Sequence, residues 1–577
     1  METNPPAHQP TNTQNLAARI GWAVLILVTL YVCYFSHLDA IGFVGPDEPR
    51  YAWIARDMAE IGDWVTPRLY GKPWFEKPPL YYWGAALSFK LFGVSEAAAR
   101  LPSAVSALLA TLALAWLALR LYGAETARWL LLLLPTTVGM ISFSHAAATD
   151  MPFSAMLTIA MVAAAVLLRL VPTTDSLSAS TNAPASSPSS FTSFTSSASF
   201  TSIPFGFFLG LAVLAKGPAA IVLCGGGIFF WALFTKRWRD TYRLLHPAAI
   251  AAFCLTALPW YILCARRNPD FFRIFIIEHN FKRFLTPEFQ HIQPFWFYAE
   301  IILIAFLPWT AALIWTVIVG LRRAVTRQLS PWTYFLFCWA LFCVVFFTIS
   351  RSKLPGYILP AVPPIALILS RSATSLSLTK RRSFALASLA MAALFASAFI
   401  ALLKDDDRLL KTLIAFAPLF KLVLLFLALA NLFLGILSFF SWRSAALAAV
   451  VLSLLLTFRL SEIFVPYTPV SILSPRYVAY QIQAYQMPLA ALRVSHLKRA
   501  TVYGLNFYLR TDLQEWDRDP SREVYVLATG LLTCSKIPEE MTCSDLWREI
   551  GKADNFELLH LTPKMLVGSV TRSGQPQ

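Results

Sequence analysis

Runs of apolar, mostly uncharged residues recur thirteen times between residues 20 and 465, separated by short loops. They fall at 20–35, 100–122, 127–147, 151–171, 203–217, 218–235, 246–265, 296–320, 331–350, 356–371, 383–403, 412–438 and 445–465. A helix needs about 20 apolar residues to cross a bilayer. In hydrocarbon every backbone polar group must bond within its own segment, which leaves the helix as the form for an isolated run. Charged residues make up only 14% of the chain and hydrophobic ones 57%, against roughly a quarter charged in soluble domains. The fold class expected is an all-α polytopic membrane protein with about 13 transmembrane helices. A further run, Leu80–Phe92, has only 13 residues and contains Lys90, so it is read as interfacial. No small-residue cleavage site follows the first run, which is read as a retained span.

Loop charge orients these spans. With residues 1–19 as a cytoplasmic tail, Arg120, Arg128, "KRWRDTYR" (Lys236–Arg243), "RRAVTR" (Arg322–Arg327), "KRR" (Lys380–Arg382) and Arg443 all face the cytoplasm, as the positive-inside rule requires. Those loops account for much of the net charge of +16, and a nucleic-acid partner is excluded on that ground. The Ser/Thr-rich segment 172–202 reads as a flexible cytoplasmic linker. The more polar tail 466–577 falls on the opposite face as a small α/β extracytoplasmic domain, with "RATVYGLNFYLR" and "REVYVLAT" as strands. Six cysteines lie in or beside apolar runs and read as core residues. Cys534 and Cys543 lie in the tail, where an oxidising compartment would allow a disulfide.

The same orientation gathers both signs of charge on the outer face. The first loop, 36–99, carries Asp47, Glu48, Arg50 and Tyr51 in "GPDEPRYA", then Glu76 and Lys77 in "FEKPPLYYW". Later segments add Arg100 in "ARLPS", Asp150 in "TDMPF" and Lys216 in "AKGP". His279, Lys282 and Arg283 stand in "EHNFKRF", and Arg351, Lys353 and Tyr357 in "SRSKLPGY". One boundary Asp is commonly a helix cap and one boundary Lys commonly snorkels. Here seven segments converge, and prolines break helices at the same level. Cations and a phenol beside apolar helices suit a lipid phosphate, and paired carboxylates suit general-base work or stabilisation of a cationic sugar transition state. Two other classes fit less well. A transporter or flippase would show repeat halves and midplane charges, and a non-catalytic scaffold would leave Asp47 and Asp150 dispensable.

In order from about residue 20 to 370, these motifs resemble the bacterial lipid A 4-amino-4-deoxy-L-arabinose transferases and, more broadly, the protein O-mannosyltransferase-like GT-C superfamily. The resemblance implies a GT-C fold in the bacterial inner membrane with its site facing the periplasm. It implies a polyprenyl-phosphate sugar donor, inversion at the anomeric carbon, and a lipid A-like lipid or an exported protein as acceptor. Asp47 and Asp150 match the two essential acidic residues. Lys77, Arg50 and Tyr357 match positions that hold the carrier phosphate. We add Tyr51, Lys282, Arg283 and Lys353 as further donor-phosphate contacts, with Glu48, Arg100 and Lys216 supporting them. Glu76 and His279 match a possible divalent-metal pair, fewer ligands than the three or four usual for zinc. Some members carry Tyr immediately before "FEKP", where this chain has Trp74, which removes a phenol.

Overall fold

The computed structural model describes residues 12–171, 191–282, 292–325, 329–374, 378–404, 417–467, 474–519, 522–529, 537, 541–549 and 556–563. They divide into two compact units: 1–39 with 54–406 and 419–462, and 40–53 with 407–418 and 463–577.

The first unit is helical. Among the described residues five helices are long and apolar enough to cross a membrane: Leu16–Tyr34, Glu96–Tyr122, Asp150–Leu167, Pro247–Arg267 and Pro331–Ile349. Ala124–Leu133 and Val138–Ser144 add a sixth if counted as one span; they meet at 62° around Pro135, which cannot supply a helix N–H. Glu96–Tyr122 shows how sequence sets such limits. Ser95 caps it by accepting from the Ala98 N–H at 3.2 Å, and Gly123, at φ 90°, ends it in a conformation that favours glycine.

Each expected span holds at least one helix, with differences. The run 296–320 is two helices, Phe297–Ala305 and Thr310–Val325, separated around Pro308. The run 356–371 opens with a 3₁₀ turn, Pro355–Ala361, before Val362–Thr374. Leu80–Phe92 is a 13-residue helix, about 20 Å long and too short to span about 30 Å of hydrocarbon. The linker reading fails at its end, because the helix Phe191–Lys216 already includes residues 191–202; residues 172–190 lie outside the described residues. There Ser202 is buried and lies 3.3 Å from Nδ1 of His246.

The second unit contains a five-stranded sheet. Leu492–Ser495 pairs in parallel with Gln514–Glu515 and with Val524–Thr529. Val524–Thr529 pairs antiparallel with Phe556–Pro563, which pairs antiparallel with Met541–Glu549. "REVYVLAT" therefore contains a strand, but "RATVYGLNFYLR" does not: it is the helix Arg499–Leu509. Its β-branched and aromatic content favours a strand locally. Val502, Leu505 and Leu509, however, fall on one helical face and pack in the same apolar cluster as Leu492, Val494 and Leu527, and burial overrides the weak local preference. This helix is the crossover that parallel strands require. Cys543 is in a disulfide, six other cysteines are free thiols, and Cys534 lies outside the described residues.

In the same unit, residues 40–53 pack with the tail. The Phe43 N–H donates to Tyr508 Oη at 2.8 Å, and Phe43 meets Phe507 edge-on at 4.8 Å. Arg476 donates to the Ala40 carbonyl at 3.1 Å. Gly42 is required by this packing: a Cβ there would fall 2.3 Å from Ser474 Oγ and 2.9 Å from Arg476 Cβ. The beginning of loop 36–99 thus groups with the tail, contrary to the expectation that it belongs with the membrane domain.

Candidate active site

Two helix ends and a 3₁₀ turn build a polar cluster in the first unit. Asp150 is the first residue of Asp150–Leu167, where the helix dipole favours an anion; Lys216 is the last residue of Phe191–Lys216, where it favours a cation. The break after Lys216 is written in "AKGP". Gly217 adopts φ 86° and returns its N–H to the Val213 carbonyl at 2.7 Å, and Pro218 begins the next helix. Lys216 Nζ then lies 2.5 Å from Asp150 Oδ1, 4.5 Å from the ring centroid of Tyr357 and 5.6 Å from that of Phe153. One carboxylate and two aromatic faces therefore hold a single ammonium. Its side chain retains 11% of its exposure and that of Asp150 21%.

Tyr357 reaches this cluster through the 3₁₀ turn of "KLPGY". Gly356 lies against Asp150 so closely that a Cβ would fall 2.6 Å from Oδ1 and 2.9 Å from Phe143. Beside it, Tyr298 Oη donates to the Leu354 carbonyl at 3.2 Å, and Tyr357 packs on Phe347 at 5.3 Å. The loop before Asp150 is tied down by Ser103, which donates to the Ala146 carbonyl at 2.7 Å. His145 adds a bond of 2.9 Å to the Ser36 carbonyl. Arg100 is buried and donates to the Leu38 carbonyl at 2.8 Å. Gly356, Ser103 and His145 escaped the sequence reading, although "KLPGY" and "ARLPS" contained the first two. Only their neighbours in space reveal their part.

Also in the first unit, buried Glu76 lies 3.5 Å from Lys77, and Lys353 Nζ donates to the Gln293 carbonyl at 3.2 Å. Lys282 is exposed. Arg283 lies outside the described residues, as does the side chain of His279. Among the described residues no group of three or more His, Cys, Asp and Glu is placed to hold a metal.

The loop that follows the helix Asp47–Ile61 is anchored through Asp63. This carboxylate accepts from the backbone N–H groups of Val65 and Thr66 at 3.1 and 3.2 Å and pairs with Arg68 at 3.3 Å and Arg267 at 3.0 Å. Burial alone would raise its pKa, but these donors and cations outweigh it and the net shift is downward. Asn268 donates to Thr66 and Trp260 to the Val65 carbonyl, so the helix Pro247–Arg267 and the residue after it fix this loop.

In the second unit, Asp47 opens the helix Asp47–Ile61 and pairs with Arg50 one turn later at 2.5 Å. Arg50 is 5% exposed. Its guanidinium sits 5.2 Å from the Tyr51 ring and 5.8 Å from that of Tyr503. Glu48 Oε2 accepts from the Val44 N–H at 2.8 Å and fixes the entry to the helix. The sequence reading assigned Asp47 and Arg50 separate tasks, whereas here they bind each other. Tyr503, in the tail, is a third member of this group that the motifs gave no reason to include.

Comparison with known proteins bears on what these clusters do. Residues 21–275 match the family described as "Dolichyl-phosphate-mannose-protein mannosyltransferase". The undecaprenyl phosphate-alpha-4-amino-4-deoxy-L-arabinose arabinosyl transferase of Enterobacter sp. (strain 638) is 30% identical over 361 residues, 62% of this chain and 61% of that protein. The protein of the same name from Erwinia tasmaniensis is 29% identical over 448 residues, 75% of each. The chain thus spans about three fifths of the length of the first of these relatives. The crystal structure of ArnT from Cupriavidus metallidurans bound to undecaprenyl phosphate superposes with a TM-score of 0.74 at 22% identity, covering 96% of this chain and 99% of that one. Its apo form gives 0.72 at 23%. Sequence similarity across the membrane region and a shared fold along nearly the whole chain show that this is a helical membrane protein of the ArnT fold that resembles the aminoarabinose transferases.

Proposed function

We propose that this protein is an integral membrane glycosyltransferase that moves a sugar from a polyprenyl-phosphate donor to a lipid A-like acceptor on the extracytoplasmic face, with inversion. The observation that carries this is the Asp150–Lys216–Tyr357 cluster, built at helix breaks in a chain similar to transferases named for an undecaprenyl-phosphate donor. An acceptor oxygen attacks the anomeric carbon as the bond from that carbon to the phosphate oxygen breaks. The electron pair leaves with the polyprenyl phosphate. A hydroxyl acceptor passes its proton to Asp47; an acceptor that is already a phosphate needs no base, and Asp47 then orients it. Cations meet the charge that develops on the departing phosphate. Lys216, oriented by Asp150, is one; Arg50, Lys77, Lys282, Arg283 and Lys353 are the others, with Tyr51 and Tyr357 donating hydroxyls. Glu48 and Arg100 shape the loops that carry them. Glu76 and His279 remain the candidate metal pair, and no step here runs through a metal.

The topology proposed is thirteen spans in a bacterial inner membrane, with the site and the 466–577 domain in the periplasm. The Cys543 disulfide supports an oxidising compartment for that domain. A reporter fused after Val465 should be active only outside the cytoplasm.

The activity test supplies purified protein with undecaprenyl-phosphate aminoarabinose and lipid A and measures release of undecaprenyl phosphate. Asp47→Asn and Asp150→Asn should abolish release, and full turnover in both would refute the assignment. The match to the mannosyltransferase family supports a second reading, in which an exported protein accepts the sugar. Mass spectrometry of lipid A and envelope proteins from a deletion strain separates the two.

A further inference from the structure

The helices Phe191–Lys216, Ala219–Thr235 and Pro247–Arg267 flank a groove of about 410 Å³ lined by Leu209, Ile221, Gly225, Ile228 and Phe253. Its rim is the segment Lys236–Arg243, whose Trp238 also lines it. This segment carries Lys236, Arg237, Arg239 and Arg243 against a single acid, Asp240. Arg237 and Arg243 share that carboxylate, at 2.7 and 3.0 Å, while Lys236 and Arg239 are exposed. Partial burial and the nearby charges of Arg169 and Arg237 lower the pKa of Arg243, against the pull of Asp240. Such a cluster favours a further anion. Phe234, Trp238 and Tyr242, around the break between the helices Ala219–Thr235 and Trp238–Thr241, are 61%, 40% and 69% exposed, as side chains at a membrane–water boundary are.

We propose that this groove and its basic rim bind one anionic phospholipid, the phosphate on the Lys236–Arg243 cations and an acyl chain in the groove. An excess of cations at the mouth of an apolar cleft between membrane helices complements that amphiphile, while a zwitterionic lipid offers its phosphate together with a competing cation. Gly225 supplies a clean probe. A Cβ there meets nothing within 4 Å, whereas one at neighbouring Gly226 would strike Phe342 at 2.1 Å.

Native mass spectrometry of the full-length protein, with phosphatidylglycerol and phosphatidylcholine of matched chains added in equal amounts, tests this. Wild type should retain phosphatidylglycerol preferentially. Lys236→Gln/Arg239→Gln should weaken that retention about tenfold or more, and Gly225→Phe should reduce retention with every cation in place. Thermal unfolding in detergent confirms that the variants are folded. Equal retention of the two lipids by wild type, which needs no variant, would overturn the proposal. So would undiminished phosphatidylglycerol in both folded variants.

Discussion

Alanine at position 356 should disable the proposed site while leaving the fold nearly intact. The added Cβ would sit 2.6 Å from Asp150 Oδ1 and 2.8 Å from its Cγ. Carbon contacts relax at about 3.5–4.0 Å, so the carboxylate must retreat by roughly 1 Å. Phe143, 2.9 Å away from the same Cβ, blocks an easy shift of the turn itself. The retreat breaks the 2.5 Å contact with Lys216, and the ammonium loses its orientation. Overpacking of this kind costs about 1–3 kcal/mol of stability, which in a protein this large is a shift of a few degrees in Tm. A displacement of about 1 Å in a group that positions a reacting partner costs about 100-fold in rate. The assay is release of undecaprenyl phosphate under saturating donor, with thermal unfolding measured in the same detergent. Gly356→Ala should lower kcat about 100-fold, and Asp150→Asn added to it should cost less than it costs alone. Wild-type turnover by folded Gly356→Ala would refute the idea that the Asp150–Lys216 geometry matters.

Lys216→Met should destabilise the protein by less than the 3–5 kcal/mol typical of breaking a fully buried pair, because the Asp150 side chain keeps 21% exposure; Asp150→Asn in the same chain should restore part of the Tm. Asp63 and Asp57 should respond to pH in opposite senses. The Asp63 carboxyl is held below its usual range, so its contribution is present above the unfolded value of about 3.9 and is lost as pH falls through the folded value. Asp63→Asn should therefore lower Tm at pH 7 and converge with wild type in acid. Burial raises the pKa of Asp57, so ionisation opposes folding there, and Asp57→Asn should raise Tm at neutral pH more than in acid. Alkylation of unfolded, unreduced protein should label six cysteines, the number of free thiols, and label all eight only after reduction.

Membrane character and the positions of most of the apolar helices were legible in the sequence. They depend on transfer and helix formation, which are properties of consecutive residues. Several helix ends were legible for the same reason, as in "AKGP", where Gly and Pro stop one helix and start the next within two residues. Local reading failed where packing decides. The helix Arg499–Leu509 looks like a strand until its apolar face finds the sheet. The Ser/Thr-rich stretch from 191 to 202 is also helix, which its composition does not foretell.

The motifs named most of the ionisable residues but could not pair them. That Asp150 meets Lys216 and Tyr357, and that Arg50 lies beside Tyr503 of the tail, depends on contacts across long stretches of chain, whereas Asp47 and Arg50 are one helical turn apart. Nor could the motifs show why Gly356 must lack a side chain, since the atom that forbids one belongs to Asp150. Sequence by itself determined the helical, apolar character of the chain and most of its helix positions, because both are sums over neighbouring residues. Tertiary structure alone decided which charges from distant segments face one another, as Asp150 and Lys216 do, because such a pair depends on distances that no local pattern encodes.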